Sequence, residues 1–118
     1  MSNVDISAEP RLHGKLAKLA VIEHGGEKLG LTELTPLDSA GLASLGDKIR
    51  FTDPVAAVQS EVDGLTSRGI NKIIVLSHSS FGIDKRVAAE TRGVDPILGG
   101  HGTKFLAELT VCSVMMAR

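Results

Sequence analysis

The chain has 118 residues, 42% hydrophobic and 23% charged, which suits one ordinary core and excludes disordered and collagen-like classes. With 13 Lys+Arg against 14 Asp+Glu, the net charge of −1 provides no field to gather nucleic acid or an anionic membrane. Three Phe, no Trp and no Tyr leave little for base stacking or aromatic hot spots.

Residues 1–11 are polar and partly acidic, without the basic and apolar regions of a signal peptide. No apolar run approaches the about 20 residues of a membrane span. In residues 18–34, Leu19, Val21, Leu29 and Leu31 alternate with other residues around His24-Gly25-Gly26, which predicts two strands and a tight turn. Residues 35–46, with Pro36, Asp38, Ser39, Gly41 and Gly46, read as a loop.

A helix follows. Asp53 is its N-cap, Pro54 its first residue, and Val55, Val58, Val62 and Leu65 recur at helical spacing. Gly69 is its C′ residue. Residues 71–76 hold the run Ile73-Ile74-Val75-Leu76, expected to be a strand buried on both faces. A second helix is expected over 83–92, closing at Gly93, with Asp84 in its first turn. Residues 95–98 read as a short strand ending in Gly99-Gly100-His101-Gly102. This rhythm predicts an α/β unit whose parallel strands are joined by right-handed crossover helices, made mixed by the hairpin. Cys112 is alone, so the chain holds no internal disulfide and no thiolate cluster.

His78 follows one expected parallel strand and His101 the next. Open α/β sheets build their sites at the carboxyl ends of such strands, so both imidazoles can reach one crevice. Neutral imidazole is a common metal ligand, while two solvated histidines at strand-ending turns are the plainer alternative. Ser77, His78, Ser80 and Asp84 hold the letters of a nucleophilic triad, but they are neighbours on one loop without a G-x-S-x-G elbow. Residues 99–104 lack P-loop spacing, and Gly25, Gly26 and Gly30 miss the dinucleotide fingerprint. His13, His24 and the pair Lys85-Arg86 read as solvated. Val111, Val114, Met115 and Met116 read as core or as a partner-facing strand.

Residues 69–85, GINKIIVLSHSSFGIDK, resemble a ligand-bearing strand of the ecto-5′-nucleotidase family. Arg92-Gly93-Val94-Asp95, Gly99-Gly100-His101 and Phe105-Leu106 resemble its next ligand loop. Asn3-Val4-Asp5, Gly25-Gly26-Glu27-Lys28-Leu29-Gly30 and Phe51-Thr52-Asp53-Pro54 agree in order. The resemblance implies a calcineurin-like metallophosphatase: an α/β sandwich in which two metal ions serve the hydrolysis of phosphate monoesters. It places His78 and His101 on the same metal, implies zinc there, and implies nucleoside 5′-monophosphates of the AMP type as substrate. It also implies an extracellular or cell-surface location.

Three motifs of the family, D-x-H, G-D-x-x-D and G-N-H-[ED], do not occur in the chain. Thr103 stands where an amide or histidine ligand of the other metal is usual, and Lys104 where Thr is usual. Residues 1–106 are therefore expected to form the C-terminal half of a metallophosphatase-like domain, followed by a divergent tail over 107–118. The metal site is expected to be incomplete, no catalytic residue is assigned, and little hydrolysis is expected from the chain alone. A complementing chain would restore the site. The alternative from another class is a non-catalytic, homo-oligomerising module that pairs through an exposed sheet edge.

Overall fold

The computed structural model describes residues 1–36 and 46–101 and the backbone of 113–116. Two strands, β1 (Val4–Asp5) and β4 (Arg50–Phe51), form a small antiparallel pair. The other strands, β2 (Leu19–His24), β3 (Glu27–Leu34), β5 (Lys72–Ser77), β6 (Pro96–Gly99) and β7 (Ser113–Met116), make one sheet in the order β2-β3-β5-β6-β7. Its central pairs β3–β5 and β5–β6 are parallel, and the outer pairs are antiparallel. The expected mixed α/β sheet is present.

The hairpin turns where expected. Residues 25 and 26 both have positive φ, at 59° and 80°, while His24 pairs with Glu27. Two consecutive positive φ values suit a two-residue turn that matches strand twist, and glycine adopts them at no steric cost.

Helix α1 (Pro54–Ser67) begins where its sequence signals lie: the Asp53 carboxylate accepts the Ala56 N–H at 3.0 Å. At its other end Gly69 N–H donates to the Thr66 carbonyl and Ile70 N–H to the Leu65 carbonyl. That pair of bonds satisfies two terminal carbonyls and folds Ile70 back against the helix. Helix α2 (Phe81–Glu90) starts two residues before the expected 83 and ends before 92. Ser80 is its cap, its hydroxyl accepting the Ile83 N–H at 3.4 Å, and this outweighs the poor helix propensity of Gly82. Similarly β6 spans 96–99 rather than 95–98, because the Asp95 side chain is used to accept the Ile73 N–H at 2.8 Å.

Both helices lie on one face of the sheet and touch each other. Val58, Val62 and Leu65 of α1 and Val87 of α2 close over Leu34, Ile73, Val75 and Ile97 to form the core. The expectation that β5 is buried on both faces is overturned. Its residues alternate in burial, and Leu76 on the second face is 41% exposed. Strand residues point alternately to opposite faces, and the two crossovers supply a helix layer to only one of them.

The N-terminal segment, polar in composition, is nonetheless packed. Asn3 is fully buried; its side-chain amide donates to the Thr35 carbonyl at 2.8 Å, and its oxygen accepts the Thr35 N–H at 3.0 Å. Ser113–Met116, within the segment set apart as a tail, pairs with β6 as an edge strand.

Candidate functional site

The site grows from the carboxyl ends of β5 and β6. Parallel neighbours lie about 4.8 Å apart, and their register sets Ser77 opposite Gly99. The chain beyond each strand therefore leaves the sheet side by side. His78 N–H donates to the Leu34 carbonyl at 2.9 Å, which extends the ladder with β3 by one residue. Gly100 N–H donates to the Ser77 carbonyl at 2.8 Å, which ties the second loop to the first.

These bonds bring the two imidazoles together. His101 Nδ1 lies 3.1 Å from His78 Nε2, and the ring centroids are 4.7 Å apart with planes at 69°. Both side chains are exposed to solvent. At that distance one nitrogen donates a proton and the other accepts it. Two imidazole nitrogens bound tetrahedrally to one zinc-sized ion stand about 3.3 Å apart, since each bond is near 2.0–2.1 Å. The observed separation of 3.1 Å is close to that value. Among the described residues no third His, Cys, Asp or Glu joins them.

Beside the pair is a concavity of about 410 Å³, lined by Glu33, Leu76, Ser77, His78, Leu98, Gly99 and Gly100. It opens on the face of the sheet that, among the described residues, carries no helix. Beneath the histidine turn sits a buried polar pair. Ser77 Oγ donates to Asp84 Oδ1 at 2.5 Å and accepts the Ser79 N–H at 3.0 Å. Burial pushes the Asp84 carboxyl above its ordinary range, and the Ser77 hydroxyl opposes the shift.

The structure sets His78 and His101 side by side, and of the two His78 lines the concavity. The triad letters are not assembled as a triad, because Ser77 faces Asp84 rather than a histidine. The solvated readings differ in detail: His24 is the last residue of β2, His13 Nε2 lies 3.2 Å from the Ser7 carbonyl, and Arg86 bridges Asp53 and Glu90. Thr103 and Lys104 lie outside the described residues. Sequence reading missed the partnership of Ser77 and Asp84. Their spacing of seven was visible, yet only the strand-to-helix turn makes them neighbours.

No protein-family model matches the chain. Among curated proteins, a 5′-nucleotidase from Diplobatis ommata is 44% identical over 97 residues, which is 82% of this chain and 17% of that protein. The human 5′-nucleotidase is 38% identical over 96 residues, with 81% and 17% covered. Among solved structures, a 5′-nucleotidase precursor from Thermus thermophilus superposes with a TM-score of 0.81 at 40% identity, covering 92% of this chain and 22% of its own. This chain is a partial 5′-nucleotidase match. It spans about a sixth of the length of those curated relatives. The calcineurin-like phosphoesterase YfkN from Bacillus subtilis, at 17% identity and a TM-score of 0.73, shares the fold. The mixed α/β fold expected from the sequence is thus shared with both solved structures.

Proposed function

We propose that the chain carries the two-histidine part of a divalent-metal site for 5′-nucleotidase chemistry on nucleoside 5′-monophosphates. The observation that carries this reading is the 3.1 Å approach of His78 Nε2 and His101 Nδ1 at the ends of adjacent parallel strands. When bound, a divalent cation polarises a phosphoryl oxygen and makes a bound water more acidic. The two imidazoles would hold it as neutral donors, which leaves it more net positive charge toward a phosphate than carboxylates would. Zinc suits a nitrogen donor set of this kind.

Two donors leave at least two positions of a tetrahedron for other groups. The chain contains none of the three further family motifs, so on this reading hydrolysis requires residues that a complementing chain would supply. Residues 1–106 are read as the C-terminal half of a metallophosphatase-like domain, and 107–118 as the divergent tail. An extracellular or cell-surface setting accords with the snake venom 5′-nucleotidases among its relatives. No helix among the described residues is long and apolar enough to cross a membrane.

The test is equilibrium dialysis with Zn²⁺ or Mn²⁺ beside a phosphate-release assay on 5′-AMP. The wild-type chain should retain metal at least about tenfold more tightly than H78A/H101A, while neither releases appreciable phosphate. Equal retention by both proteins would overturn the metal reading. Metal-dependent turnover by the isolated chain would overturn the need for further residues.

A second reading, self-association through the sheet, rests on β2. It lies at one end of the strand order, and its Ile22 is 47% exposed. Concentration-dependent sedimentation that Ile22→Lys abolishes would favour it, and a monomer at all concentrations would remove it.

A further inference from the structure

The two histidine loops share one anchor. Ser77 is 5% exposed, Ser79 2% and Asp84 4%, so the anchor lies inside the protein while the imidazoles reach solvent. The Ser77 hydroxyl holds the turn that carries His78 by accepting the Ser79 N–H at 3.0 Å. The Ser77 carbonyl holds the loop that carries His101 by accepting the Gly100 N–H at 2.8 Å. One residue therefore touches the backbone on both sides of the donor pair.

Ser77 needs its own orientation fixed, because a hydroxyl on a strand end has three staggered rotamers. Asp84 supplies that restraint. Its carboxylate accepts the Ser77 O–H at 2.5 Å from the first turn of α2, whose start is set by the Ser80 cap. Among the described residues no salt bridge reaches Asp84, so the hydroxyl does not compete with a cation for its oxygen. The hydroxyl must donate to Asp84 to leave its lone pair for Ser79. This fixes direction as well as position.

We infer that Asp84 and Ser77 form a buried positioning pair that sets the separation of the His78 and His101 rings. Both are positioning residues: Ser77 borders the concavity, but it and Asp84 act on the imidazoles through the backbone of the two loops. The inference rests on the proposed donor pair for its consequence, since a cation needs both nitrogens at one spacing. Its geometry exists without any metal. Partners of this outer kind typically govern affinity by about 10–100-fold, because they orient the ligating rings.

The experiment uses the metal-free chain with labelled histidine rings, followed by NMR. Ring-to-ring cross-relaxation between His78 and His101 reports the spacing, and amide exchange at Ser79 and Gly100 reports the two anchoring bonds. In D84A the cross-relaxation should fade and both amides should exchange about tenfold faster, the equivalent of one hydrogen bond removed. D84N, which keeps a carbonyl oxygen in the same place, should restore both readouts to within about twofold. T91A removes a different buried bond, from Thr91 Oγ to the Val87 carbonyl at 2.6 Å, and should lower stability without changing the cross-relaxation.

Should D84A fail to fold, Ser77→Ala decides, since it removes the same hydroxyl while keeping the strand and the bond from Gly100. A folded D84A or S77A with unchanged cross-relaxation and unchanged exchange overturns the inference. So does an equal fading of the cross-relaxation in T91A, which would make it a reporter of general stability. Co²⁺ titration of the wild-type chain is the separate arm. If no Co²⁺ binds while the metal-free readouts behave as expected, the metal reading fails and the positioning pair stands.

Discussion

Glu9 and Asp84 show how the same functional group is driven in opposite directions by its surroundings. The Glu9 carboxylate accepts from Arg11 Nε at 2.8 Å, from Nη2 at 2.9 Å and from the Arg11 N–H at 3.2 Å. Those bonds to its ionised form hold its pKa at about 2, against an ordinary 4.5. A folded-state pKa below the unfolded one contributes stability above pH 4.5, and that contribution is lost as pH falls towards 2. Urea midpoints measured between those limits should therefore fall less steeply with acid in Glu9→Gln than in the wild-type chain. Equal slopes would show that Arg11 does not bind the carboxylate selectively. Asp84 lies on the other side of its ordinary value because desolvation outweighs its single bond to Ser77.

At the scale of elements, glycine decides packing in two different ways. Gly30 on β3 is buried beneath α1, and a Cβ placed there would lie 2.7 Å from Leu65 Cδ1. Leu65 is itself fully buried, so its side chain would have to shift within the core. Gly30→Ala should cost about 1–3 kcal/mol in chemical denaturation, the range for overpacking a tight core. Gly64 on α1 is the contrast, with nothing within 4 Å of an added Cβ. Gly64→Ala should stabilise by about 0.5–1 kcal/mol, because alanine is the better helix former. The start of α1 is held by its cap: Asp53 accepts the Ala56 N–H and pairs with Arg86 Nη1 at 3.1 Å. Asp53→Ala should cost about 1 kcal/mol, mostly from the cap, since an exposed ion pair adds little.

At the scale of the molecule, the decisive feature among the described residues is a sheet with both helices on one face. The other face carries Leu76 at 41% and Ile22 at 47% exposure. Replacing Leu76 with Lys should leave the thermal midpoint nearly unchanged, since little burial is removed, and should raise solubility. A large drop in the midpoint would mean that this face is packed in solution. The same one-sided layering governs the site, because the carboxyl ends of β5 and β6 meet at the rim of the uncovered face.

Much of this was legible in the residues. Asp53-Pro54 and Gly69 mark the ends of α1 through local chemistry, a cap that accepts N–H groups and a residue free to take positive φ. Gly25-Gly26 marks the hairpin for the same reason. His78 and His101 were recognisable as a pair because strand ends in a parallel sheet share an edge. The start of α2 was less legible: Gly82 argues locally against a helix, and Ser80 prevails only by reaching the Ile83 N–H.

By itself, then, the sequence determined the order of elements, the hairpin, the caps and the two histidines, since each rests on chemistry within a few residues. Only the tertiary structure decided the rest. The apolar run Ile73–Leu76 has the same composition whether one face or two are covered, and helix placement exposes Leu76. Ser77 and Asp84 become partners because a strand turns into a helix between them. The 3.1 Å between the imidazoles depends on the parallel register and on bonds to one serine carbonyl and one hydroxyl. Distances of that kind are set by long-range packing, which local sequence does not encode.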